Sequence, residues 1–280
     1  MEIIHRLAFN ARKNELQTKT LDEMRIKFAF HVLPSPASLE APAGLVTLDI
    51  AESDPRWTLV KELSRQWNCI DQVYSTFTRT DLEQAEYLAI VPRWHQGYPM
   101  PDNNGGYLDK TYRGHLGCAI CGVGRLQVEP FRMRSEPKWG RKNMLQLNWI
   151  FDEFFVTPVV FTNVFLPFGI QCREVLNYKS GKPLETVVQL CVSQVASDSR
   201  RHSEYDAICE ECGRGKFFPH VRGFFPTFCP TDGSPIFKTD EYFGSDGSAW
   251  QAIIITKKLY RAMEDSGVSG VGFYPMESST

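Results

Sequence analysis

Apolar and polar positions along the chain follow two periods, and the switches between them mark its elements. Residues Ile26 to Val32 alternate loosely and run into a Pro/Ala/Ser-rich connection over 33–44, which reads as a loop or interdomain surface. Leu45 to Ile50 reads as a strand. Ser53-Asp54-Pro55 then offers a capping residue and an early proline to a helix whose apolar stripe is Trp57, Val60, Leu63 and Trp67. Thr80 is placed to cap a short second helix carrying Leu82, Ala85 and Leu88. The stretch from Tyr98 to Gly106 is turn chemistry throughout, so a boundary near residue 108 is expected, separating an N-terminal α/β domain (1–108) from a second domain (109–280).

In the second domain the apolar run from Asn148 to Phe155 fits either a helix or a strand. Thr157-Pro158 opens a helix predicted to end near Gly169. The run Phe154 to Ile170 reads as core, because Thr157, Pro158, Thr162, Asn163 and Pro167 break it too often for a membrane span. Leu184 to Val195 is the clearest strand by its Val/Thr content and alternation. Near the C-terminus, Ala252 to Ile255 is a short apolar strand, Thr256 caps a helix over Lys257 to Ser266, Gly267 ends it, and Val268 to Tyr274 returns as a strand. That order is a β-α-β unit, although the connection is short for a full crossover.

The cysteines carry the sharpest chemical signal. Cys118-Ala119-Ile120-Cys121-Gly122 and Cys209-Glu210-Glu211-Cys212-Gly213 share one pattern, and two such turns together supply four thiolates to one metal. Two intervening residues let both sulfurs of a turn converge, and the glycine tolerates the positive φ that such a turn needs. Zinc bound by Cys118, Cys121, Cys209 and Cys212 is therefore expected. The domain-sized insert between the two turns makes the site a tertiary clamp, and closing so long a loop costs little more than closing a short one because the cost is logarithmic in length. A rival set is Cys209, Cys212, His220 and Cys229, which would leave Cys118 and Cys121 with His115 for another role. A thiol redox role is disfavoured by the glycine after each second cysteine, which argues against a continuing helix. Cys69, Cys172 and Cys191 read as buried apolar residues.

Composition narrows the class further. A 42% hydrophobic, 23% charged chain is globular, and a net charge of −2 points to no polyanionic partner. The N-terminus becomes charged before any long apolar segment, so no signal peptide is expected. Eight cysteines, four of them in CxxC pairs, fit a reducing compartment, and the expected location is the cytoplasm, with no membrane partner. The fold class that follows is α+β, mixed sheets and helices with a zinc-knuckle clamp and the C-terminal β-α-β unit.

Other candidate chemistry is weaker. Arg125, Arg132, Arg134, Lys138, Arg141 and Lys142, interleaved with Phe131 and Trp139, form a basic stretch that could grip nucleic acid. Glu129 and Glu136 dilute it, and a zinc tetrathiolate nearby would itself attract cations. Phe217-Phe218-Pro219 and Phe224-Phe225-Pro226, with Phe228 beyond, read as the small core of the metal region or as a partner-binding patch. Trp94 to Pro99 is a dense aromatic loop, but His95 has no evident catalytic partner. No GxGxxG, P-loop, GxSxG or HExxH is present, and a site with four protein thiolates is closed, so no enzymatic activity is expected.

The paired motifs, in a chain of this length, resemble the double-CXXCG motif proteins, a bacterial family of paralogues of which some members are regarded as immunity proteins for polymorphic toxins. The stretch from Phe237 to Phe243, the Thr256 helix and Gly270 to Pro275 are similar to the endings of such proteins, while residues 1 to about 90 match only loosely. The resemblance implies zinc on the four motif cysteines and a cytoplasmic, non-enzymatic protein that binds a protein partner, such as a toxin. A nucleic-acid-binding zinc protein and, after it, a zinc-dependent enzyme are the alternatives.

Overall fold

The computed structural model describes residues 1–12, 15–32, 43–112, 117–196, 205–228, 233–245 and 247–277. The connection expected over 33–44 lies almost wholly outside them. The protein is α+β and forms two compact units, Met1–Arg79 with Val221–Gly223, and Thr80–His220 with Phe224–Thr280. The division thus falls at residue 79/80 and not near residue 108. The strand Tyr87–Pro92 accounts for the difference: it is hydrogen-bonded along both edges, to Ile253–Thr256 and to Val271–Pro275, and so belongs to the C-terminal unit's sheet. Among the described residues no helix is long and apolar enough to cross a membrane.

The first unit is an antiparallel sheet in the order Ala29–Val32, Ala43–Ala51, Glu2–Arg12, Ile70–Thr76. Alternation puts Leu7 and Phe9 on one face, in register with Leu48 and Val46, and the helices Leu16–Glu23 and Trp57–Gln66 close that face with Leu21, Trp57 and Val60. Of the predicted stripe, Trp57 and Val60 are core and half-buried Trp67 packs against it, while Leu63 is half-buried and outside the cluster. The helix begins at Trp57 rather than at Asp54, whose carboxylate accepts from the Arg56 N–H at 2.9 Å and the Arg56 guanidinium at 2.8 Å. Buried His5 stacks on Trp57 with ring centroids 3.9 Å apart. Its Nδ1 lies 2.8 Å from Asp71 and its Nε2 2.9 Å from Glu52, which also accepts from Arg222 at 2.7 Å.

The second unit contains two five-stranded sheets. One runs Val195–Ala196, Ile236–Thr239, Ile253–Thr256, Tyr87–Pro92, Val271–Pro275; the other runs Arg132–Met133, Gln171–Asn177, Pro183–Cys191, Phe155–Val156, Met144–Leu145. Adjacent residues of the second sheet feed two cores. Val156 and Met144 join Leu88, Ile253 and Leu259 on one side, while Phe155, Leu145, Val175 and Val187 pack with Phe131 on the other. Leu88 is fully buried but stands in a strand. The helix over Arg79–Gln84 stops short of it, so the apolar spacing identified the core positions and misassigned the last one's element.

Thr157 caps its helix as the sequence predicts, accepting from the Val160 N–H at 3.3 Å, and the segment ends at Gly169 with φ 75°. Between them the winding loosens to a π turn over Phe161–Phe165 and tightens to a 3-10 turn over Leu166–Phe168. The ambiguous run before it is irregular until Phe155–Val156. The C-terminal β-α-β unit is present as Ile253–Thr256, Lys257–Asp265 and Val271–Pro275, its two strands flanking Tyr87–Pro92 antiparallel to both. One intervening strand is therefore crossed. Cys172 is exposed, contrary to the apolar reading, while Cys69 and Cys191 are half-buried and burial pushes the Cys69 thiol up to about 11.

Candidate metal centre

Two turns built alike bring four cysteines together. The second knuckle is the tip of a hairpin in which Ala207–Ile208 pairs antiparallel with Gly215–Lys216, and the antiparallel bridge between Tyr112 and Gln127 closes the base of the first. The Gly122 N–H donates to the Cys118 carbonyl at 2.9 Å and the Cys118 N–H to the Val123 carbonyl at 2.9 Å. In the second turn the Gly213 N–H donates to the Cys209 carbonyl at 2.8 Å and the Cys209 N–H to the Arg214 carbonyl at 3.0 Å. Each partner is displaced by 91 residues, so the two knuckles are local copies of one turn. Gly122 and Gly213 take φ of 82° and 66°, which is what makes glycine the fitting residue after each second cysteine.

The four ligand atoms lie within 4.8 Å of one another. The close sulfur contacts run between the knuckles, Cys118 to Cys209 at 3.8 Å and Cys121 to Cys212 at 3.7 Å. Disulfides need about 2.05 Å, so these contacts are not disulfides. A tetrahedral ion with metal–sulfur bonds of about 2.3 Å sets its sulfurs about 3.8 Å apart, and these contacts fall at that spacing. The cluster could hold a metal ion. Cys121 and Cys209 are buried, and Val123, Tyr242 and Ala249 pack around the group.

The electrostatics differ across the cluster. The backbone N–H groups of Cys121 and Ile120 point at the Cys118 sulfur and hold its thiol down at about 6, whereas burial pushes Cys121 up to about 12. In the absence of metal one thiolate is favoured and the next is opposed, which is the condition a cation relieves. The Arg125 guanidinium lies against Gly122, where a β-carbon would fall 2.8 Å from its Nη1, and Arg214 is similarly close to Gly124 at 2.9 Å. Sequence spacing did not point to Tyr242, whose hydroxyl accepts from the Gly124 N–H at 3.1 Å, because it comes from a remote loop.

The rival ligand set is not assembled among the described residues. His220 packs edge-on against Phe225, with centroids 5.4 Å apart, and His115 and Cys229 lie outside the described residues. The basic stretch is divided: Arg132 pairs with Glu129 at 3.7 Å, Arg134 with Asp102 at 3.2 Å, and Phe131 is fully buried, so it offers no ring for stacking bases. Glu136 accepts from the Glu185 N–H at 2.8 Å and from Thr186. In the Phe/Pro segment Phe225 and Phe228 are buried and Phe217 lies against Phe243, leaving Phe218 exposed; the segment is a small aromatic core. Trp94 packs on Trp139 at 5.6 Å, while His95 is exposed.

Comparison of the chain with protein-family models, with curated proteins and with solved structures finds no match. The chemistry of the four-cysteine site therefore stands on its own geometry.

Proposed function

We propose that Cys118, Cys121, Cys209 and Cys212 hold one zinc ion and that the protein works by binding another protein, without catalysis. The observation that carries the reading is the sulfur spacing between two knuckles of identical hydrogen bonding, 3.8 and 3.7 Å, which suits a tetrahedral ion. Four thiolates are soft donors suited to zinc, and they leave no position for a substrate or a reactive water. The bound ion would supply a cross-link. Arg125 and Arg214 are placed to offset the charge of about −2 that a zinc tetrathiolate carries.

The motif resemblance supports a finer reading, a bacterial immunity protein that neutralises a cognate toxin in the cytoplasm. The test is competition between sibling bacteria. A strain lacking the gene should be inhibited beside wild-type cells, and the wild-type gene should restore growth where the Cys118→Ser/Cys209→Ser variant does not. A deletion strain that competes normally with its toxin-bearing siblings overturns the immunity reading and leaves the metal site to be judged separately. A nucleic-acid reading draws less support, because Arg132 and Arg134 are already paired with carboxylates and Phe131 is buried.

A further inference from the structure

Beside the first knuckle the second unit carries a half-open cavity of about 710 Å³, within the size range of small-molecule sites. It opens where a core layer turns polar. On one face of the second sheet Val175 and Val187 are buried in an apolar layer, and two residues along the same strands that face carries Arg173 and Gln189, which are in register with each other. The cavity lies against these polar positions.

Its floor is a connected network. Gln189 and Gln127 exchange amide hydrogen bonds at 2.6 and 2.9 Å, Gln189 Nε2 donates to Glu153 at 2.8 Å, and Lys238 Nζ donates to Glu153 at 2.6 Å and lies 3.6 Å from Asp152. Glu153, Gln189 and Lys238 are all buried. Aromatic rings supply much of the remaining wall. Trp250 and Phe151 lie 4.9 Å apart, and Trp149 stacks near Tyr107 at 6.2 Å with an interplanar angle of 24°. Trp149 holds φ 68°, a backbone state that bulky residues avoid, and the residue is 48% exposed. Strain of this kind persists where a side chain's position is used.

Two cations complete the lining. Arg125 and Arg173 are half-buried, and neither guanidinium makes a hydrogen bond or ion pair among the described residues. A guanidinium is a planar fork suited to a carboxylate or phosphate, and an aromatic wall suits a flat ring. We infer that this cavity binds a small organic anion carrying a planar ring, with the ring against the Trp149, Phe151 and Trp250 wall and the anion on Arg173. The anion is a phosphate, as in a nucleotide, or a carboxylate, as in an aromatic acid. The inference does not depend on which metal the knuckles hold.

Titration calorimetry on the full chain, with its metal content verified, tests it with AMP and indole-3-acetate and with the uncharged controls adenosine and indole. The expected result is saturable one-to-one binding of one anion, with the uncharged control weaker by about 10-fold or more. Which anion binds identifies the source. Arg173→Gln should weaken it about 10-fold, and Trp250→Leu should weaken anion and control alike, with unchanged circular dichroism for both variants. If a variant fails to fold, competition of the anion by the uncharged control in the wild-type protein decides the ring's part. Absence of saturable binding by either anion to millimolar concentration, or equal affinity for anion and control, overturns the inference.

Discussion

Replacing Lys238 by methionine removes the one cation that faces Glu153 in the buried network, and the structure sets the scale of the loss. The two side chains are only 11% and 10% exposed and their charges are 2.6 Å apart. At an effective dielectric constant of about 20 their attraction is roughly 6 kcal/mol, most of it offset by the cost of taking both ions out of water. Lys238→Met withdraws the attraction and keeps the desolvation of Glu153, so the second unit should lose about 3–5 kcal/mol at neutral pH. Glu153→Gln alone strands the ammonium, though Asp152 at 3.6 Å remains to it and lessens the loss. The double variant should cost less than the sum of the singles by about 2 kcal/mol.

The pH dependence follows from the same burial. Burial pushes the Glu153 carboxyl up and the Lys238 charge opposes that push, so Lys238→Met raises the carboxyl further above its unfolded value. A carboxyl raised on folding favours the folded state fully below its unfolded pKa and loses that advantage as pH rises through the folded one. The deficit of Lys238→Met should therefore shrink as pH is lowered from neutral towards 4.5, the unfolded value. Urea unfolding of the four proteins at several pH values, with midpoints and slopes both fitted, gives the cycle. Additive losses that do not change with pH would refute the reasoning and mean that water in the cavity solvates the pair.

Gly270→Ala should cost more than about 3 kcal/mol or prevent folding, since a β-carbon there falls 2.0 Å from the Met144 carbonyl oxygen at φ 107°; expression and thermal unfolding decide it. In the first unit, the hydrogen bond to His5 holds the Glu52 carboxyl below its ordinary range, with Arg222 contributing. That contribution is present above the unfolded pKa and is lost as pH falls through the folded one, so Glu52→Gln should flatten the acid limb of this unit's stability between pH 6 and pH 3, about the range where carboxylates titrate. Metal removal by a chelator should raise hydrogen exchange at the Gly122 and Gly213 amides while leaving the paired strands Glu2–Arg12 and Ala43–Ala51 protected, because those lie in a unit with its own core; equal deprotection in both units would contradict this.

Local signals in the sequence carried most of the metal region. The CxxCG copies, the Thr157 and Thr256 caps and the glycines that end their helices are all short-range chemistry, and each stands where its spacing places it. Long-range pairing was the harder part. Tyr87–Pro92 lies between two strands from the far end of the chain, and nothing in its own residues names those partners, so the unit boundary was displaced. The buried network left a fainter trace. Asp152-Glu153 interrupts the apolar run before Phe154, and Lys238 stands in the apolar strand Ile236–Thr239, which are the positions where a charge is costly unless paired. Their pairing with each other depends on the strand order. Cys172 was misread because its residue type favours burial, whereas its position on the strand leaves it exposed.

The most direct test of the central claim is metal content, measured by elemental analysis of protein purified without added metal, with the Cys118→Ser/Cys209→Ser variant beside it and X-ray absorption to identify the donors. The account predicts one zinc per chain on four sulfurs at about 2.3 Å, lost in the variant together with the thermal transition of the second unit. Wild-type protein that carries no metal, with its cysteines titrating as free thiols and an unfolding transition matching that of the variant, would contradict it.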